Sequence, residues 1–174
     1  LINNNLISIS PFDNFNGEIE IDVFASDGEF IDSTNFTLTV NAVNDAPIVS
    51  QPLEDIQIYE DSGVATIGLS SIFADVDGDE LIYDISIDTE EIIFTAAIQN
   101  ENLIISTIPD QNGGPISVTI LADDGQGGNI ASDTFIIDVM AVNDYPILSS
   151  IENQEINEDS YFFYSLMAND VDGD

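Results

Sequence analysis

Acidic residues recur in short turn-like motifs along this sequence, and their carboxylates are the groups best suited to chemistry. Asp and Gly are common turn residues, so a single acidic turn would be interpreted as solvated. The recurring motifs are ADVDGD at 74–79 and NDVDGD at 169–174, Glu60-Asp61 and Glu158-Asp159, and Asn44-Asp45 and Asn143-Asp144. Because carboxylate, amide and main-chain oxygens are ligands of Ca²⁺ in flexible geometry, this recurrence favours calcium binding.

The charge balance of the chain points the same way. Its 174 residues include 34 Asp and Glu but no Lys, Arg or His, which gives a formal net charge of −34. No basic side chain can therefore pair with a carboxylate. Two carboxylates about 4 Å apart repel each other by about 4 kcal/mol at an effective dielectric constant near 20. We expect divalent cations from outside the chain to neutralise the acidic clusters.

The EF-hand, a well-defined calcium loop, does not fit this sequence. An EF-hand loop needs Gly at its sixth position and Glu at its twelfth. Counted from Asp75, those positions hold Glu80 and Ser86. The flanking segments also alternate like strands, so any ion here must be bound by the turns of a β-protein.

The composition excludes several other functions. Without His or Cys the chain has no ordinary zinc site, thiol nucleophile or Ser-His-Asp triad. Without Lys or Arg it has no basic side chain to attract the phosphates of nucleic acid or anionic lipid. No apolar run is long enough to span a membrane. Adjacent residues of an extended segment point to opposite faces, so Glu90 and Glu91 are not expected to form a glycosidase pair. We therefore expect a protein that is not an enzyme.

Two stretches of the chain are near copies of each other, FTLTVNAVNDAP at Phe36–Pro47 and FIIDVMAVNDYP at Phe135–Pro146. Apolar residues alternate in both, and the alternation ends at an acidic dipeptide and a proline, which cannot donate to a β-ladder. Their spacing of roughly 100 residues is the size of a domain. The sequence predicts the last strands of one repeat at 1–43, a complete repeat at 44–143 and the first strands of another at 144–174. The chain is expected to be part of a longer array.

The complete repeat contains seven short segments with strand-like alternation and turn signals between them, and no helical period. This pattern predicts an all-β fold of tandem seven-stranded Greek-key β-sandwich repeats joined by short acidic linkers. The predicted strands are Leu53–Tyr59, Val64–Leu69, Leu81–Ile87, Ile92–Ala97, Leu103–Thr107, Ile116–Ala122 and Ile130–Val142.

This topology would sort the acidic turns between the two ends of the sandwich. The turns at Glu60-Asp61 and Asp110 should lie at the end where the last strand leaves toward Asn143-Asp144. The turns at 75–79 and 123–124 should lie at the opposite end, near Asn44-Asp45. If repeats stack head to tail, carboxylates from both neighbours meet at each joint.

These residues resemble bacterial cadherin-like tandem repeats of large secreted or surface proteins. Asn44-Asp45 and Asn143-Asp144 match the centre of the cadherin linker pattern D-x-N-D-N, although alanine replaces the leading Asp at 42 and 141. Glu60 matches the early-strand Glu, ADVDGD matches A-x-D-x-D-x-G, and 122–124 matches A-x-D. The D-R-E element is not present as such, and Asp110 and Asp13 occupy the comparable turns.

The resemblance implies a set of calcium ligands at each joint. At the second joint the implied ligands are Glu60, Asp110, Asn143, Asp144, Asp170 and Asp172. At the first joint they are Asp13, Asn44, Asp45, Asp75, Asp77 and Asp124.

The resemblance further implies a calcium-rigidified adhesive extender of an extracellular, secreted or cell-surface protein, whose partners are neighbouring repeats. One alternative is a carbohydrate-binding β-sandwich module that binds a surface polysaccharide through aromatic residues such as those of Tyr161–Tyr164. A second alternative is that the terminal pieces complete each other between copies of the chain and build a homopolymeric fibre. The aromatic run is expected to lie partly in the core of the third repeat.

Overall fold

The computed structural model of the chain describes residues 2–3 and 6–173, and these form β-strands joined by turns. The predicted all-β class is therefore confirmed. In the described part, no helix is long and apolar enough to cross a membrane. The strands are β1 (Ile2–Asn3), β2 (Leu6–Ile7), β3 (Gly17–Ser26), β4 (Ile31–Val40), β5 (Ile48–Val49), β6 (Ile56–Tyr59), β7 (Val64–Gly68), β8 (Phe73–Ala74), β9 (Ile82–Asp88), β10 (Phe94–Gln99), β11 (Asn102–Thr107), β12 (Gly113–Asp123), β13 (Ala131–Met140), β14 (Ile147–Leu148) and β15 (Ala168–Asn169).

Residues 44–143, all of which the structure describes, form a β-sandwich. One sheet has the strand order β6-β13-β12-β9, and the other has the order β10-β11-β7. Neighbouring strands are antiparallel except β6 and β13, which run parallel. Seven strands occupy the seven predicted places, with ends that shift by at most three residues.

The interior of the sandwich is an apolar core supplied by both sheets. Alternate residues of β12 point inward, so Val118 and Ile120 are fully buried while their neighbours are not. They pack with Phe135 of β13 and with Leu103 and Ile105 of β11. The aliphatic residues that made these segments look like strands are therefore also the ones that hold the two sheets together.

The first strand of the sandwich begins later than predicted because two carboxylates replace ladder bonds there. The side chain of Asp133 accepts a hydrogen bond from the backbone N–H of Leu53. The side chain of Asp55 accepts one from the N–H of Ile136 at 2.8 Å. These bonds fix the chain to β13 before the parallel pairing of β6 starts at Ile56.

A separate hairpin of β3 and β4 precedes the sandwich and repeats the pairing of β12 with β13. Ile21 lies opposite Phe36 in this hairpin, as Val118 lies opposite Phe135 in the sandwich. Phe36 is exposed, whereas Phe135 is buried under the second sheet. The hairpin thus has the strand register of the sandwich. Among the described residues, however, no second sheet buries it as β10, β11 and β7 bury β13.

The segment after the sandwich also repeats an earlier pairing. β14 pairs with β15 so that Ile147 lies opposite Asn169. β5 pairs with β8 so that Ile48 lies opposite Ala74. In both places the pair of short strands sets the acidic Asp-Val-Asp-Gly segment, at 75–78 and 170–173, beside the Asn-Asp dipeptide.

The core predicts a clear difference between two isoleucines. Ile120→Ala should lower the free energy of unfolding by about 2–5 kcal/mol, because a fully buried large side chain is lost and a cavity remains. Ile82→Ala is the matched control, since Ile82 lies in the neighbouring strand β9 but is 65% exposed. Urea unfolding of both variants in chelator measures the difference. Equal losses of stability would contradict this account of the core.

Candidate metal centres at the two ends of the sandwich

The chain leaves the sandwich after β13 at what we call the trailing end, where three carboxylates meet next to the buried Glu60. We call Glu60, Asp61, Asp110 and Asp144 the trailing cluster. Carboxylate oxygens of Asp61, Asp110 and Asp144 lie within 4.8 Å of one another. Asp61 follows β6, Asp110 follows β11 and Asp144 follows β13, so three strand ends position the group.

Glu60 is the most deeply buried acidic residue of this end, with 1% of its surface exposed. Its Oε1 atom accepts hydrogen bonds from the backbone N–H of Val142 at 2.9 Å and from Nδ2 of Asn112 at 3.2 Å. Its Oε2 atom is buried and accepts no hydrogen bond from any described residue. A buried carboxylate oxygen without a donor is costly unless a positive charge lies nearby.

Asp144 lies at the centre of the trailing end. Loss of hydration raises its carboxyl pKa first, and the negative charges of Asp110, Asp61, Asp172 and Glu60 raise the pKa further. Its Oδ2 atom is buried and, within the described part of the chain, has no hydrogen-bond donor. Four neighbouring carboxylates therefore disfavour the ionised form of Asp144.

The following segment touches this end through its own acidic turn. The backbone N–H of Asp144 donates to Oδ2 of Asp172 at 2.7 Å, and the N–H of Asp172 donates to Oδ1 of Asp170 at 3.0 Å. Nδ2 of Asn143 donates to the carbonyl of Asp144 at 2.9 Å. The six residues proposed for the second joint thus lie around one end of the sandwich. Asp174, the last residue of NDVDGD, lies outside the described residues.

The chain enters the sandwich at what we call the leading end, which holds a second acidic group. Carboxylate oxygens of Asp75, Asp77 and Asp79 lie within 4.8 Å of one another. The backbone N–H of Asp45 donates to Oδ2 of Asp77 at 2.7 Å, the same bond that joins the linker to the turn at the trailing end. Oδ2 of Asp75 is buried without a donor among the described residues.

Asp124 joins the leading end from the turn between β12 and β13 and is 7% exposed. Its Oδ2 accepts a hydrogen bond from Nδ2 of Asn44 at 2.9 Å, and its Oδ1 accepts one from the N–H of Gln126 at 2.8 Å. These two bonds, the one from Asn44 first, hold the pKa of Asp124 below its ordinary value. Asp124 is therefore a carboxylate kept ionised by its donors.

Asp13 lies near the leading end, on the exposed turn before β3. It lines one cleft together with Asp45 and Asp77. Its neighbour Asn14, however, is the residue with the left-handed backbone, with a φ of 59° against 57° for Asp110. By backbone and strand register, Asn14 is the counterpart of Asp110, so an amide replaces a carboxylate there.

Two residues of the acidic groups, Asp61 and Asp79, are absent from the ligand sets implied by the sequence. Both lie in motifs that were visible as repeats, since Glu-Asp-Ser and DVDGD each occur twice. For Asp61, the signal in the sequence was that Asp follows both Glu60 and Glu158. The position of the Asp61 side chain depends on the left-handed backbone of that residue, which has a φ of 60°.

Comparisons with known proteins do not assign the chain to a family. No family model matches it, and no curated protein does. A variant of the endo-fucoidan hydrolase MfFcnA4 from glycoside hydrolase family 107 is 24% identical over 73% of this chain and 19% of the hydrolase, with a TM-score of 0.42. The titin domains z1z2 in complex with telethonin are 12% identical over 72% of this chain and 62% of theirs, with a TM-score of 0.38. The chain covers less than two thirds of either protein, and neither match carries a function to it.

The contact between Asn44 and Asp124 predicts a pH effect. In chelator, Asn44→Ala should raise the Asp124 pKa toward its ordinary value, because the largest cause of the lowered pKa is removed. A lowered pKa contributes stability that is complete above the ordinary value and is lost as the pH falls through the folded-state value. Acid destabilisation of the variant should therefore begin at a higher pH.

Carbon-detected NMR titration of the Asp124 carboxyl group measures this pKa directly. Asn143→Ala, which removes the corresponding amide at the trailing end, is the control and should leave Asp124 unchanged. If Asn44→Ala also leaves the titration of Asp124 unchanged, the hydrogen bond does not set its pKa.

Proposed function

We infer that the chain is a calcium-rigidified extender segment of a long extracellular protein, with cations bound where successive β-sandwich repeats meet. The observation that carries this proposal is the trailing cluster. Buried oxygens of Glu60 and Asp144 have no hydrogen-bond donor among the described residues, in a chain without a single basic side chain. A bound cation is the partner that such a group lacks.

The donor set fits calcium better than other metals. Every candidate ligand is a carboxylate or amide oxygen, and the chain has no Cys thiolate or His imidazole to offer. Oxygen-rich groups without soft ligands suit calcium, magnesium and manganese rather than zinc or copper. Calcium is favoured over magnesium because it tolerates six to eight oxygens from scattered turns, whereas magnesium demands a near-ideal octahedron.

The proposed mechanism is electrostatic. Without a cation, Asp144 is repelled by the carboxylates around it, and the linker is free to move away from the sandwich. The ion supplies the positive charge that turns this repulsion into attraction. The main chain of Asp144 then stays where its N–H reaches Asp172, and the linker is held between the sandwich and the next acidic turn.

The same proposal divides the chain into the end of one Greek-key repeat at 1–43, a complete repeat at 44–143 and the start of a third at 144–174. Two pairs of recurring contacts support it. The linker N–H of Asp45 bonds Asp77 as that of Asp144 bonds Asp172, both at 2.7 Å. The registers of the β3–β4 and β12–β13 hairpins also agree.

We place this extender outside the cell, in a secreted or surface adhesin of the cadherin-like type. Weak extracellular calcium modules work at about 10⁻⁴–10⁻³ M, concentrations that the cytosol does not reach. The partners would be neighbouring repeats, or other copies of the chain in a filament. The role is mechanical rather than enzymatic, and it involves neither nucleic acid nor membrane insertion.

One observation favours a second candidate, a carbohydrate-binding module. The rings of Tyr161 and Phe163 lie 6.3 Å apart in a segment without regular secondary structure and are 89% and 87% exposed. Paired aromatic rings can stack on the apolar face of a sugar. Retention on a polysaccharide column in chelator, and its loss in a Tyr161→Ala/Phe163→Ala variant, would support this candidate. An extender needs no such retention.

Calcium should raise the stability of the chain and act through Asp144. Binding to the folded state alone contributes about 2.7 kcal/mol per site at a hundredfold excess over Kd. Asp144→Ala should lose much of that gain without losing stability in chelator, because it removes a repelled charge and no core side chain. Thermal melts with calcium and with chelator measure both effects.

The control for this experiment is Asp88→Ala, which removes one exposed carboxylate, the last residue of β9, that belongs to neither acidic group. It should respond to calcium as the unmodified chain does. Identical melting midpoints of the unmodified chain in calcium and in chelator would contradict the proposed function.

A further inference from the structure

Asp61 lies in an acidic group at the trailing end, although it is not one of the ligands implied by the sequence. Its carboxylate is exposed, yet an oxygen of it lies within 4.8 Å of oxygens of Asp110 and Asp144. None of the three side chains accepts a hydrogen bond from the described residues. Three carboxylates that converge without a donor repel one another, so their convergence needs a positive charge to be favourable.

A second and independent observation points to a ligand at the same place. Glu60, the residue before Asp61, is almost completely buried, and its Oε2 has no donor in the described part of the chain. Its Oε1 is fixed by Val142, two residues before Asp144, and by Asn112, two residues after Asp110. The Glu60 carboxylate is therefore held between the two segments that supply the other carboxylates.

We propose that Asp61 is a direct ligand of a divalent cation that is bound by Glu60, Asp61, Asp110 and Asp144, in a site complete within the central sandwich and its linker. This inference rests on the proposed function, because it names a ligand of the trailing end. It goes further in one respect: the site uses no residue of the following segment. The ion would fix Asp144 to the sandwich whether or not Asp172 is in place.

The backbone conformation at position 61 favours Asp over most other residues. A φ of 60° is unfavourable for most side chains but is tolerated by Asp. Asp159 has the same conformation, with a φ of 62°, and follows Glu158 as Asp61 follows Glu60. Within the described residues, however, Asp159 belongs to no comparable group of carboxylates. The chain therefore contains its own matched control.

The test is a calcium titration of the full chain, read by competition with terbium. Tyr145 lines the same cleft as Asp110 and Asp144, so terbium bound there should be sensitised by the tyrosine. Tyr145→Phe should remove much of that signal and identify the site. The terbium signal then reports on the trailing end, because the leading end has Ala46 in place of a sensitising tyrosine at the corresponding linker position.

Asp61→Asn should weaken calcium binding at this site by about tenfold or more, since loss of even an outer-shell partner costs about 10–100-fold. Asp159→Asn should bind as the unmodified chain does, and Asp172→Asn should be much less affected than Asp61→Asn. Asp61→Gly separates the two roles of the residue. Glycine accepts the left-handed backbone, so this variant should keep its stability in chelator and still lose affinity.

Two results would overturn the proposal in different ways. If Asp61→Asn and Asp61→Gly bind normally while Asp110→Asn and Asp144→Asn do not, Asp61 is not a ligand, and the proposed function stands without it. If all four variants bind calcium as the unmodified chain does, no cation is held at the trailing end, and the proposed function fails as well.

Discussion

Uncompensated negative charge is the constraint on which the rest of this structure depends. The chain carries 34 carboxylates and no basic side chain, so every acidic group must be hydrated, bonded to an N–H donor or neutralised from outside. Asp124 illustrates the second solution, with donors on both oxygens. Glu60 and Asp144 have one buried oxygen each that meets none of these conditions within the described chain.

The β-sandwich keeps these charges away from its core and gathers them at its ends. Antiparallel strands turn at the ends of the sheets, and the carboxylates of the two acidic groups lie in the turns and linkers there, while the aliphatic residues alternate inward along the strands. The core between Leu103, Val118 and Phe135 is consequently free of charge. Stability of the sandwich and binding at its ends therefore depend on different residues, and each can be altered without destroying the other.

Much of this arrangement could be predicted from the sequence, and the exceptions have local causes. Alternation located the seven central strands, and topology assigned the acidic turns to opposite ends. Alternation could not reveal that carboxylates would hold the backbone around Leu53 and delay β6. Nor could it show that residues 14 and 61 would adopt the left-handed backbone. Turn geometry at single residues depends on the assembled strand ends, which a sequence pattern does not specify.

The central claim is that a cation at the trailing end fixes the linker to the sandwich. The chain contains no Cys, so spin labels can be placed at two introduced cysteines, Ser86→Cys on β9 and Ser150→Cys after β14. Pulsed electron resonance then measures the distribution of distances across the joint. We predict a narrow distribution in calcium and a broad one in chelator. Equally broad distributions in both, or equally narrow ones, would contradict the account.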